Sequence, residues 1–335
     1  MFQIERIIRD KLLTVTQGAG VTKSLDSRVS IKPSLMYIGL GLMPFLSYAV
    51  SVAEARPQAQ YKPFKLSVSQ ISTQSASVAN GDTELQRDSL LLNASVNIPL
   101  DKQWSIRMRV GYDRLDYDWR NIRLTGANNA AGLFSDAGET WENIDRYRAG
   151  LSVSYRMDKH WSFMLSPQLQ YAYADTASAS HAQSYGVVAS AMYAFESGNM
   201  LGFGVAYLND IDEVRTMPYL AVSWQINDRW RLANPFQAGF SGPAGLELSY
   251  QVSPAWNVGF GNSRRTERFL VADKDTVVET NEWVSYLRAG WQATPAIALN
   301  LYAGYYFNGE LEVTHQAALD IDNQGAAALD LEFRF

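Results

Sequence analysis

"AALDLEFRF", residues 327–335, closes the chain on an aromatic residue. Read in twos from the end, Phe335, Phe333, Leu331, Leu329 and Ala327 fall on one side, and Arg334, Glu332, Asp330 and Ala328 on the other. Strict alternation of this kind predicts a strand with one apolar and one polar face. Termini usually fray into water. An apolar strand in that place raises the question of what solvates its apolar face.

The same period recurs upstream from Phe64. "SLLLNASVNI" (89–98) puts Leu90, Leu92, Ala94, Val96 and Ile98 on one face. "YRAGLSVSYRM" (147–157), "WSFMLSPQLQYAY" (161–173), "SYGVVASAMYAF" (184–195) and "IALNLYAGYYF" (297–307) read alike, with Ser, Asn, Gln, Arg or Gly opposite. No stretch between them carries a helical period. Pro167 interrupts its strand and is best tolerated at an edge or bulge.

A repeat of turns accompanies the strands. "LDKQW" (100–104), "MDKHW" (157–161), "INDRW" (226–230) and "VSPAW" (252–256) each close a strand with a short polar or Pro turn. Each then opens the next strand on Trp104, Trp161, Trp230 or Trp256, and "ATPAI" (293–297) has the same shape with Ile. The other connections read as longer and polar, notably 120–143, 262–280 and 308–325. A soluble sandwich has no reason to place Trp after every second turn. A transmembrane barrel does, because an aromatic girdle marks the bilayer interface and short turns gather at one end. Lipid then takes up the apolar faces, and the sheet must close because open edges leave backbone groups unpaired in hydrocarbon. Segments at 64–74, 88–99, 104–119, 144–157, 161–173, 183–195, 200–209, 215–226, 230–236, 245–252, 256–271, 277–292, 297–308 and 326–335 predict an all-β, antiparallel up-and-down barrel. The count is 14 strands, or 12, since segment 230–236 is short and the segments around 262–280 are ambiguous.

On these features the chain resembles bacterial outer-membrane β-barrel proteins over about residues 64–335. The resemblance implies residence in the outer membrane of a Gram-negative bacterium, among phospholipid and lipopolysaccharide. It also makes Phe335, with its alternating apolar neighbours, the signal read by the barrel-assembly machinery.

Composition agrees with export. Only 47% of the 335 residues are hydrophobic, which excludes a bundle of membrane helices, and cysteine is absent, which excludes thiol chemistry and disulfides. Residues 35–53 form an uncharged run, preceded by Arg28 and Lys32 and followed by Ala53-Glu54-Ala55, the layout of a signal peptide with a small-x-small cleavage site. A retained anchor is the alternative. The expected organisation is therefore an extended N-terminal region with its signal (1–55), a short periplasmic lead (56–63) and the barrel (64–335). "FQIERIIRDKLL" resembles the extended signal region of some large exported proteins, and a start site further along accounts for it equally. Cleavage after Ala55 leaves 23 basic and 30 acidic residues, a net charge of −7. An acidic exported chain is a poor partner for nucleic acid.

The apolar parity of the strands decides which side chains point inward, since a charge on the lipid face costs about 2–4 kcal/mol at the midplane. Arg107, Arg109, Arg146, Arg148 and Arg156 point inward from two adjacent strands, and Arg288 and Arg334 join them. The inward acids are Asp113, Glu247, Glu282, Asp330 and Glu332. Two readings follow. The charges line a water-filled, porin-like channel that passes small polar solutes, or they pair and fill the interior of a barrel whose loops recognise a partner. A surface hydrolase is the third reading. "HWS" (160–162) has the His-x-Ser spacing of outer-membrane phospholipases, yet His160 falls in a turn, and His181 near Asp175 makes too common a pair to count. His315 among Glu310, Glu312, Asp320 and Asp322 reads as a solvated acidic loop rather than a metal site. No cofactor, metal or enzymatic activity is expected.

Overall fold

The computed structural model describes residues 62–79, 83–121, 132–135, 140–211, 213–235, 239–242, 244–272, 276–314 and 316–335. The signal region and His315 lie outside them.

Fourteen strands follow one another as an antiparallel meander. β1 is Phe64–Thr73, continued as Ala76–Val78, and β2 is Thr83–Pro99. β3 (Trp104–Arg120), β4 (Asn143–Arg156), β5 (Trp161–Ala174), β6 (Gln183–Ala194) and β7 (Met200–Asp210) form the next part of the wall. β8 (Glu213–Gln225), β9 (Trp230–Ala233), β10 (Ala244–Gln251), β11 (Trp256–Ala272), β12 (Thr276–Thr294) and β13 (Ile297–Val313) continue it. β14 is Leu319–Ile321 and Gln324–Arg334. Each strand pairs with the one before it, and β14 closes the ring on β1 with Phe333 opposite Leu66 and Leu331 opposite Val68. Phe335 completes the seam. It exchanges backbone hydrogen bonds of 3.0 and 3.1 Å with Phe64, and the two rings stack at 5.7 Å.

The turn repeat has a simple cause. Asp101, Asp158 and Asn227 each use one side-chain oxygen to accept the N–H groups two and three residues on, at 2.7–3.0 Å. Thr294 does the same for Ala296 and Ile297 at 3.2 and 3.1 Å, and Ser253 caps Trp256 at 3.2 Å. The second N–H belongs to the residue that opens the next strand, which is Trp in four of the five turns. These N–H donors also hold the exposed Asp158 carboxylate below the usual carboxylate range. Because the five turns share this geometry, their aromatics form a ring: Trp104 meets Tyr155 at 4.6 Å, Trp161 meets Tyr193 at 5.0 Å, Trp230 meets Tyr250 at 4.8 Å and Trp256 meets Trp291 at 5.7 Å.

A second tyrosine row, Tyr112, Tyr147 and Tyr173, lies toward the loop end, with ring spacings of 5.1 and 6.4 Å. Beyond it the outward face of β3 turns charged, with Arg114 paired to Asp116 and Arg120 to Asp118. From Trp104 to Tyr112 is about 21 Å along the barrel axis for a strand tilted roughly 40°, close to the ~25 Å apolar band of such barrels. The outward residues between the rows, including Met108, Val110, Leu151, Leu165, Phe203, Phe260, Leu287 and Leu329, are exposed. No helix among the described residues is long and apolar enough to cross a membrane.

Two expectations need correction at the loop end. Residues 262–280 are a hairpin rather than a loop, because β11 and β12 run on to Ala272 and from Thr276 with paired residues such as Glu267 and Thr280. Residues 308–325 are likewise mostly strand, since β13 extends to Val313 and β14 begins at Leu319. Long connections and short turns therefore do not alternate strictly: β7 and β8 are joined through 211–212 alone. The strands are longer than a membrane requires, and their ends carry polar residues that read as loop.

Candidate functional site

The inward faces of the strands build three layers along the lumen. Nearest the turns, Arg107 and Arg109 are half-buried, and Arg156 is exposed at the rim, where its backbone N–H bonds the Gln103 carbonyl. Arg109 donates to Ser152 at 3.5 Å, and Ser152 and Ser166 share a hydrogen bond of 2.8 Å. This end of the lumen keeps contact with solvent.

The middle layer is a network of buried charge. The register sets Asp113 opposite Arg146 and Gly111 opposite Arg148. Asp113 is fully buried and takes Arg146 on one oxygen at 2.7 Å and Arg148 on the other at 2.5 Å. Arg146 also lies 3.6 Å from Glu267, which accepts from Arg265 at 2.6 Å and from the Tyr117 hydroxyl at 3.1 Å. Arg87 meets Glu282 with two bonds of 3.0 and 2.7 Å, the bidentate geometry that makes such pairs strong. The guanidinium groups of Arg87 and Arg265 both lie 5.6 Å from the centre of the Tyr306 ring. A second cluster joins Arg288 to Glu247 at 2.7 Å, to Asn257 at 2.6 Å and to Asn300 at 3.1 Å. Gly259 permits it: a Cβ there would sit 2.7 Å from the Glu247 carboxylate. Asn300 then donates to Asp330 at 3.0 Å, and Ser69 to the same carboxylate at 2.8 Å.

The third layer is aromatic and seals the loop end. Trp141, with no exposed surface, packs against Trp119 at 5.0 Å, Tyr117 at 5.3 Å and Phe269 at 5.3 Å. Its indole N–H donates to the Leu133 carbonyl at 3.1 Å, while Trp119 donates to the Trp141 carbonyl at 3.0 Å. Leu133 and Phe134, from the short helix α1 (Gly132–Ser135), are buried beside it. The connection 120–143, expected outside the barrel, thus sends Leu133, Phe134 and Trp141 into the mouth. Phe240, from the segment after β9, is also fully buried, 5.5 Å from both Tyr302 and Tyr306. The adjacent Gly239 adopts φ +72°, which a side chain would rarely accept.

The β11–β12 hairpin completes the closure by crossing the mouth. Leu270 pairs in parallel with Tyr173 of β5, and the Thr176 hydroxyl donates to the Val271 carbonyl at 2.7 Å. On its other side Leu270 and Val277 pack with Ala182 and Ile211. Arg268 fastens the contact, bonding the Ile211 carbonyl at 2.6 Å and Glu279 at 2.9 Å, and Arg215 reaches the same glutamate.

Of the inward residues read from parity, the structure gathers Arg146 and Arg148 around Asp113, and Arg288 around Glu247. It leaves Arg107, Arg109 and Arg156 in the turn-side vestibule. Arg87, Arg265 and Glu267 join the buried network from positions that share the inward parity of their strands. Phe240 and Trp141 had no such signal. His160 bonds the Ala194 carbonyl at 2.8 Å and stacks on Tyr193 at the turn end. Asp175 accepts from Asn143 at 3.0 Å. Among the described residues no three His, Cys, Asp or Glu side chains come together as metal ligands.

A family model described as a domain of unknown function, DUF6268, matches residues 134–323. No curated protein matches the chain in sequence. Among solved structures it is similar to the Pseudomonas putida toluene transporter TodX, at 10% identity over 84% of this chain and 90% of that one, with a TM-score of 0.38. It is also similar to the translocator domain of autotransporter NalP from Neisseria meningitidis, at 9% identity over 82% and 89%, with a TM-score of 0.32. A third likeness is the NanC porin, at 8% identity over 81% and 100%, with a TM-score of 0.35.

Proposed function

The chain belongs to the DUF6268 family, whose description names no activity, and we propose from its own geometry that it is an outer-membrane barrel closed along its axis to ions and small polar solutes. The observation that carries this reading is the filled loop end: Trp141, Phe134 and Phe240 lie inside the barrel, and the β11–β12 hairpin spans the mouth above paired, buried charges. A passive porin needs a continuous aqueous path, and charged groups that line water remain solvated. Here Arg87, Asp113, Arg146, Glu247, Glu267, Glu282 and Arg288 are withdrawn from it. The barrel has no catalytic role in this reading. Its partners are lipid, lipopolysaccharide and the assembly machinery that inserts it.

Planar-bilayer recording of the refolded protein tests the proposal. It predicts no sustained open steps at moderate voltage. Stable conductance of a fixed size from the wild-type chain would restore the open porin reading, with Arg107, Arg109 and Arg156 as its lining.

A further inference from the structure

Among the described residues, the strand pairing of the barrel wall is interrupted beside β9. β8 pairs with β7 along its length, from Asp210 opposite Glu213 to Met200 opposite Ser223. On its other side β9 is four residues long and pairs only with Ser223, Trp224 and Gln225. Asn234 extends the contact by one step. Its backbone and side chain bond both Val222 groups at 3.2 and 2.7 Å, and its amide reaches the carbonyls of Leu220 and of Gly245 on β10 at 3.2 and 3.1 Å. Beyond that point, among the described residues, no strand pairs with the β8 edge.

The interruption lies in the apolar belt. The cross-strand partners of Thr216, Pro218 and Leu220 are Tyr207, Val205 and Phe203, all exposed on the outward face. An unpaired edge is costly in hydrocarbon, and this one carries its own adaptation. Leu220 and Val222 direct their backbone groups to the open side, so the alternation gives Pro218 the same side, and Pro has no N–H to leave unpaired. The missing donor also makes the edge a poor template for another strand.

Behind the interruption the inner wall has the wrong polarity for an aqueous barrel. Val188, Ala206 and Leu208 form an apolar cluster with Met164, Met217 and Tyr219, the last three only partly buried. Methionine adapts its shape to varied apolar partners. The inner face continues toward the turns through Met192 and Ser190, which are half-buried.

We propose that the gap between β8 and β10 is a side opening through which an uncharged, lipid-soluble small molecule passes between the outer-membrane lipid and the lumen. The proposal rests on the axial closure argued above, since a sealed mouth leaves the side wall as the entry. Its substrate class follows from the rim and lining, which offer methionine, tyrosine and aliphatic surface.

The chain has no cysteine, so single labels are straightforward. A bimane on Met217→Cys, on the inner face, is compared in vesicles of phospholipid carrying acyl-chain nitroxides with labels on Leu220→Cys (lipid side) and Ser154→Cys (inner face of β4). Quenching at 217 should be at least half that at 220 and several-fold above that at 154. Equal protection at 217 and 154 would overturn the opening. Uptake of N-phenyl-1-naphthylamine by cells making the protein should fall several-fold for Met217→Trp, or for Ala221→Leu if the first variant fails to fold. An unchanged rate in a folded variant counts against passage. A nitroxide on Thr216→Cys that gives one sharp short distance between copies would assign the edge to a second chain and overturn the proposal. Conductance recorded on the same preparation reports axial closure separately, so the two readings fail independently.

Discussion

Replacing Asp113 by Asn tests whether the middle of the lumen is dry. The carboxylate is fully buried and serves two guanidinium groups, Arg146 at 2.7 Å and Arg148 at 2.5 Å. Asn keeps the size but removes the charge. Arg146 retains Glu267 at 3.6 Å, and Arg148 retains its bond to Asn93 at 3.0 Å. Leaving a charge buried without its counter-ion costs on the order of 3–5 kcal/mol, and the residual Glu267 contact places the expected loss near the lower end. Adding Arg148→Gln should return a part of it, because one of the two cations that lose the Asp113 carboxylate goes too. Asp116→Asn breaks the exposed pair with Arg114 and should change stability little. The assay is urea unfolding in lipid vesicles, followed by tryptophan fluorescence and heat-modifiable gel mobility. A loss below about 1 kcal/mol for Asp113→Asn would mean that water reaches these charges, and the closed-barrel reading would fall with it.

Four further outcomes are expected. Arg107→Gln with Arg109→Gln should leave stability nearly unchanged in the same assay, because both residues sit in the solvated turn-side layer. Trp141→Ala should cost roughly 3–5 kcal/mol and introduce flickering conductance in bilayers, and a silent, fully stable variant would show that the indole does not hold the mouth. Deleting Phe335, or replacing it with Asp, should reduce the folded yield in the membrane while export across the inner membrane continues, because the residue closes the β1–β14 seam through its backbone bonds to Phe64. Intact mass of the purified protein should place the mature N-terminus near Arg56, and retention of residues 35–53 would identify an anchor instead.

How much was legible follows from period and distance along the chain. Alternation in 89–98 determines which way every residue of β2 points, and Arg87 could be placed inward by the same count. The five turns are local too: each is an Asp, Asn, Ser or Thr oxygen reaching N–H groups no more than three residues on. Strand number, neighbour order, the tryptophan row at the turns and the inward acids Asp113, Glu247, Glu282, Asp330 and Glu332 come from such short-range rules. Strand ends beyond the membrane were harder, because there Arg264, Thr266 and Arg268 stand where the lipid-facing pattern would put apolar groups.

The sequence by itself determined a closed sheet with an apolar belt, since side-chain direction in a strand repeats every two residues and lipid leaves no edge unpaired without penalty. Only the tertiary structure decided what the barrel holds. Phe240 meets Tyr302 some sixty residues away, Arg87 meets Glu282 across the lumen, and Leu270 crosses to Tyr173. None of these contacts has a period, because they arise where a segment folds inward and finds a complementary wall. The short β9, too, became an opening only when its neighbours β8 and β10 were seen to run on past it.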